Sequence, residues 1–199
     1  MTRLLLASQS SGRAAMLRDA GVDFVAEPAL VDEAALTDAL VAEGQSPRNI
    51  ADALAEAKAV KLSSRRPGQL VIGADQLLAL DNGLLLTKAA SPADAAVQLR
   101  QMSGQRHRLL SAVVVAENGS ALWRHIGEAQ MWVRPLSDAF IANYVAVHWD
   151  RIRWTVGCYE IEAAGSQLFA RTEGDRWTII GLPLLPLLAW LRDRGEIAA

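Results

Sequence analysis

The run Leu70-Val71-Ile72-Gly73-Ala74-Asp75-Gln76 constrains this chain more than any other stretch, because apolar or small residues lead to a glycine and the first charge arrives only at Asp75. A short apolar run bounded in this way predicts a core strand, and in open α/β sheets ligands bind beyond the carboxyl ends of the strands. Asp75 is therefore the first candidate for chemistry. A turn aspartate or a helix cap is the competing reading of an Asp in this place.

The remaining pattern interleaves helices with strands. Residues 3–7 predict a strand running into the small polar loop Ser8-Gln9-Ser10-Ser11-Gly12-Arg13, a helix follows over Ala14 to Ala20, and Gly21 stands at its C′ position. Such a loop before a helix can cradle an anion with backbone N–H groups, serine hydroxyls and Arg13; an ordinary serine cap beside a solvated arginine is the alternative. Val22 to Glu27 reads as a second strand and Val31-Asp32-Glu33 as a loop. Ser46 caps a long helix with Pro47 at its first position, with Ile50, Leu54, Ala57 and Lys61 on one face and Lys58 just off that seam, as a solvent-exposed helix lysine would be. Leu77 to Leu80 and Leu84 to Leu86, joined through Asp81-Asn82-Gly83, predict a hairpin that returns Lys88 toward Asp75. Helices capped by Ser91 and by Ser137-Asp138 flank a long hairpin over His107 to Glu117 and Ala121 to Arg134. Val156 to Glu162, Gln167 to Arg171 and Trp177 to Ile180 read as irregular and strand-like pieces, and Leu184 to Arg194 as a last helix closed by Gly195. The fold class is α/β, a mixed β-sheet with flanking helices.

With 199 residues, 51% of them hydrophobic, the chain can build one sizeable core or two small lobes, and a single domain over residues 1–199 is expected. The formal charge of -2 gives no global attraction to a nucleic-acid polymer or a membrane surface, so any phosphate binding must be local. The one cysteine, Cys158, can form no internal disulfide and no cysteine-based zinc cluster. The apolar start is too short for a signal-peptide core, and the stretch from Ile179 to Leu191 is too short to span a membrane, so a cytoplasmic location is expected. His107 and His125 have no partner at ligand spacing and read as structural.

Taken together, the landmarks resemble the Maf family of nucleoside triphosphate pyrophosphatases, also described as septum-formation inhibitors. The likeness rests on Leu6 to Ser10 with Arg13, Val31 to Glu33, Ala57-Lys58-Ala59, Ile72 to Asp75, Lys88, Ser103-Gly104, Arg134 to Ser137 and Gly181-Leu182-Pro183, all in order. It implies a Maf/ITPase-like fold with a cleft between two lobes, and hydrolysis of a nucleoside triphosphate between the α and β phosphates to a monophosphate and pyrophosphate. Carried over by position, Asp75 activates water, Glu33 and Asp75 hold a divalent cation (Mg²⁺ or Mn²⁺), and Ser8, Ser10, Arg13, Lys58 and Lys88 contact the triphosphate. The chemistry is coherent, since a polyanion needs cations around it and a hard metal ion needs carboxylates. The family likeness also suggests a homodimer.

Base choice turns on Gln76 and Glu162. In the family, a Gln after the aspartate and a late Glu accompany the branch linked to 7-methylguanosine triphosphate, whereas Thr and Gln accompany the branch acting on dTTP and UTP. A carboxylate accepts two hydrogen bonds and so matches the paired donors of a guanine edge. Trp154 and Tyr159 are either aromatic partners of a cationic purine or core residues. Departures from the family pattern are Ser11-Gly12 for Pro-Arg, Ala14 for a basic residue and Ala163 for glycine. The alternatives are therefore a dTTP/UTP pyrophosphatase, and a catalytically weak nucleotide-binding paralogue acting through a protein partner in division control.

Overall fold

The computed structural model describes residues 4–198. In chain order its elements are β1 (Leu4–Leu6), α1 (Ser11–Asp19), β2 (Phe24–Ala26), α2 (Glu33–Ala42), α3 (Pro47–Arg65), β3 (Val71–Leu80), β4 (Leu85–Leu86), α4 (Pro92–Met102), β5 (Arg106–Glu117), β6 (Ser120–Val133), α5 (Asp138–Ile152), a 3-10 turn (Ala164–Leu168), β7 (Phe169–Glu173), α6 (Arg176–Ile180) and α7 (Leu184–Asp193). The strands form a seven-stranded sheet in the order β2-β1-β3-β5-β6-β7, with β4 on β3. Parallel β1-β2 and β1-β3 pairs stand beside antiparallel β3-β4 and β6-β7 pairs. This is the expected mixed α/β architecture. The predicted strand over residues 3–7 is observed over Leu4–Leu6, and residue 3 lies outside the described residues.

Contacts divide the chain into two compact units. One takes the residues up to Gln76, Ser111–Gly127 and the residues from Gly181 onward; the other takes Leu77–Leu110 and Glu128–Ile180. Among the described residues no helix is long and apolar enough to cross a membrane.

In the first unit the helix starts follow their caps. Ser10 and Ser46 each accept a backbone N–H of the first turn, from Arg13 at 3.3 Å and Asn49 at 3.2 Å. Two expectations fail here. β3 does not end at Asp75 but runs five residues further through Leu77, Leu78, Ala79 and Leu80, all buried; with both faces covered, nothing interrupts the strand. The stretch after Val31 is not a loop throughout, because Asp32 caps α2 and Glu33 is its first residue.

The second unit holds a core of Leu78, Leu99, Met102, Leu109, Met131, Ile141 and Tyr144 among others. At its centre His107 is fully buried, its Nε2 2.8 Å from the Tyr159 hydroxyl and its ring tilted against Tyr159 and Phe169. The Nδ1 atom has no hydrogen-bond partner among the described residues. Burial pushes the imidazole down to about 4 against the opposing pull of Asp81, so it is neutral at physiological pH. Cys158 is also buried, at φ 57, and burial pushes its thiol up to about 11. Trp177 to Ile180 is helical rather than strand-like, because Asp175 accepts both the backbone N–H of Thr178 (2.8 Å) and its hydroxyl (2.5 Å).

Candidate active site

Gly73 and Asp75 are two residues apart and so share one face of β3. A Cβ at Gly73 would stand 2.3 Å from the Ala55 carbonyl oxygen and 2.6 Å from the Ala59 nitrogen, so strand and helix meet there backbone against backbone. Lys58 lies between those two helix positions. Its ammonium reaches Asp75 Oδ1 at 2.6 Å and Glu33 Oε1 at 3.0 Å. Lys58 is only 8% exposed and Asp75 6%, which overturns the reading of Lys58 as a solvent-exposed residue. The buried seam of α3 runs through Ile50, Ala51, Leu54, Ala55, Lys58, Ala59 and Leu62, leaving Ala57 and Lys61 at its edge.

A lysine and two carboxylates thus converge on one point, with unequal freedom. Glu33 is half-exposed, whereas Asp75 is enclosed. Burial pushes the Asp75 carboxyl above the usual carboxylate range; the Lys58 ammonium and the Arg13 guanidinium pull it back, and Glu33 adds a smaller push upward. Burial outweighs the neighbouring cations, so the proton affinity of Asp75 is raised by the protein around it.

The loop before α1 supplies the next group. Arg13 Nε donates to the Gly181 carbonyl at 2.8 Å, and Nη1 donates to the Ala74 carbonyl at 2.9 Å and to Ser8 Oγ at 3.4 Å. Ser8 Oγ also accepts from the Ser10 backbone N–H at 3.1 Å. Ser10 is therefore the helix cap and Ser8 the brace of the loop, and neither hydroxyl donates a hydrogen bond among the described residues. Gln76 is half-buried and donates from Nε2 to Ser111 Oγ at 3.0 Å. The backbone acceptors at Ala74 and Gly181, like Ser111, were not legible in the sequence, since a carbonyl has no residue signature.

The other two candidates belong to the second unit. Lys88 is exposed and forms an isolated antiparallel bridge with Val156. Glu162 is exposed in a turn closed by the Ala163 N–H to the Glu160 carbonyl at 3.1 Å. Glu160 is anchored by Arg151 at 2.6 Å. Tyr159 is a core residue bonded to His107, while Trp154 is 67% exposed with the Arg153 guanidinium 4.9 Å from its ring centre.

The donor set suits a hard divalent ion. Glu33 and Asp75 each place an oxygen within 3.0 Å of a single atom, the Lys58 nitrogen. Among the described residues no group of three or more His, Cys, Asp or Glu side chains forms a closed cage. What these side chains offer is the Mg²⁺-type arrangement, in which one or two carboxylates are completed by substrate oxygens and water.

Comparison with known proteins identifies the family of the chain. The model of the Maf-like protein family matches residues 3–194, and the chain belongs to that family. A "Nucleoside triphosphate pyrophosphatase" of Sphingopyxis alaskensis is 67% identical over 96% of this chain and 97% of its own. One of the same description from Ruegeria pomeroyi is 49% identical over 98% and 97%. A "7-methyl-GTP pyrophosphatase" of Rhizobium etli is 44% identical over 98% of each chain.

Proposed function

We propose that this chain, acting as one catalytic domain, is a nucleoside triphosphate pyrophosphatase that releases a nucleoside monophosphate and pyrophosphate. The observation that carries the reading is the enclosed Asp75, held within 2.6 Å of Lys58 in a chain of the Maf-like family. Asp75 accepts the proton of the attacking water. Its raised proton affinity suits that task, because a general base works best when its pKa approaches the working pH. Lys58 fixes the Asp75 and Glu33 carboxylates and adds positive charge beside them. Ser8 and Ser10 present hydroxyl donors, together with the first N–H groups of α1, to the phosphates, and Lys88 supplies an ammonium for the leaving pyrophosphate. Glu33 and Asp75 would hold Mg²⁺ or Mn²⁺, which when bound neutralises phosphate charge and lowers the pKa of bound water.

For the base, we propose a modified purine of the 7-methyl-GTP kind. Glu162 offers two acceptor oxygens at an exposed turn, and Trp154 is an exposed aromatic in the same unit. The Rhizobium etli relative named for that substrate adds support. A dTTP/UTP preference is the second reading. Pyrophosphate release from 7-methyl-GTP, GTP, UTP, dTTP and CTP with Mg²⁺ or Mn²⁺ tests both. Turnover of the methylated purine, moved toward pyrimidines by Glu162→Gln, supports the first reading. A pyrimidine preference in the wild type, strengthened by that variant, removes the first reading and supports the second; a pyrimidine activity abolished by it counts against the second.

A further inference from the structure

The family resemblance casts Arg13 as a ligand of the triphosphate, yet its donors are already engaged. Nε is spent on the Gly181 carbonyl at 2.8 Å, and Nη1 on the Ala74 carbonyl at 2.9 Å with Ser8 Oγ at 3.4 Å. Only Nη2 carries no hydrogen bond among the described residues. The acceptors come from three stretches far apart in sequence: the loop after β1, the strand residue directly before Asp75, and the turn that leads into α7. Two of them are backbone carbonyls, for which a charged donor is the strong partner. The Gly181 turn is unusual in itself. It has φ +118, where glycine is favoured, and a Cβ there would lie 3.4 Å from Gln76 Oε1 and 3.6 Å from Arg13 Nη2. One guanidinium thus joins the backbone that carries Asp75 to the backbone beside Gln76.

We infer that Arg13 is a positioning residue, a three-point clamp that sets Ala74-Asp75, the Ser8 loop and the Gly181 turn relative to one another before nucleotide arrives. Lysine cannot replace it. An ammonium is a point donor on a flexible stem, and one nitrogen does not span the forked set that Nε and Nη1 satisfy together. The clamp is a property of the free protein, and only its kinetic consequence rests on the proposed hydrolysis.

Two measurements test it. In nucleotide-free wild-type protein, the Arg13 side-chain Nε–H is observed by NMR. The clamp predicts a resolved, slowly exchanging signal that stays in place when α,β-methylene-GTP is added. A signal that exchanges with water as fast as those of surface arginines, or that is protected only after the analogue is added, overturns the inference. In Arg13→Lys, the clamp predicts a kcat at least tenfold lower with KM within threefold of wild type, and faster amide exchange in peptides covering Leu70–Asp75 and Gly181–Leu184. A KM at least tenfold higher with kcat and amide exchange preserved would make Arg13 a phosphate ligand instead. If no triphosphate is hydrolysed by the wild type, the proposed function fails while the nucleotide-free NMR result still decides the clamp.

Discussion

Asp75 and His107 are both buried and titratable, one in each unit, and the protein treats them in opposite ways. Asp75 is surrounded by Lys58, Arg13 and Glu33, so the upward push of burial on its carboxyl is opposed by two cations. His107 has a tyrosine hydroxyl, two aromatic rings and a nitrogen unpartnered among the described residues, and burial keeps it uncharged. A buried carboxyl given charged partners is the place where the proposed chemistry falls. A group left neutral among rings belongs to the packing.

The contrast can be broken from either side. The largest effect is expected from Asp75→Asn, which removes the proposed proton acceptor but keeps the shape. Pyrophosphate release should fall by roughly 10³-fold with little change in the urea midpoint. Lys58→Met should cost about 3–5 kcal/mol of stability by stranding the buried carboxylate. Combining it with Asp75→Asn should restore much of that loss, and a double variant as unstable as the single one would argue against the pairing.

His107 predicts a pH effect of definite sign. The unfolded imidazole takes up a proton near 6.5, the folded one only at about 4, so its contribution to stability is complete above 6.5 and is lost as the pH falls from 6.5 to 4. The loss amounts to about 3 kcal/mol at most. Urea midpoints of wild type and His107→Phe at pH 7 and pH 4.5 check it, the variant having the flatter dependence. Asp75 leans the other way, since a raised carboxyl pKa favours the folded state at low pH and that benefit fades as the pH climbs through it. The smallest stability effect belongs to Glu33→Gln, within about 0.5 kcal/mol because the side chain is half-exposed. Its activity should nevertheless fall, and unchanged turnover would remove Glu33 from the site.

These outcomes also mark how far the sequence could be read. Ser46-Pro47, Ser91-Pro92 and Ser137 announced their helices because a cap is local chemistry written in adjacent residues. α2 carries a cap as well, at Asp32, but it buries no residue, so there was no apolar stripe to set it apart from a loop. Asp75 stood out as the first charge after an apolar run, but its place within β3 did not, because a strand covered on both faces has no alternation to mark its end. Lys58 came forward only through family likeness. Its burial depends on Gly73 letting β3 approach α3, and that contact links residues far apart in the chain. The donors of Arg13 were equally hidden, since their acceptors are main-chain carbonyls supplied by folding alone.

Cys158 has a practical consequence. It is the one thiol in the chain, buried and held in its unreactive protonated form by a pKa near 11. The wild-type protein is in effect already a cysteine-free background for chemical labelling. A cysteine placed at Val147 or Leu185, which are 65% and 53% exposed, would take up a maleimide dye at neutral pH while Cys158 remained unmodified. Fluorescent reporters could then be set in either unit without first removing a native residue.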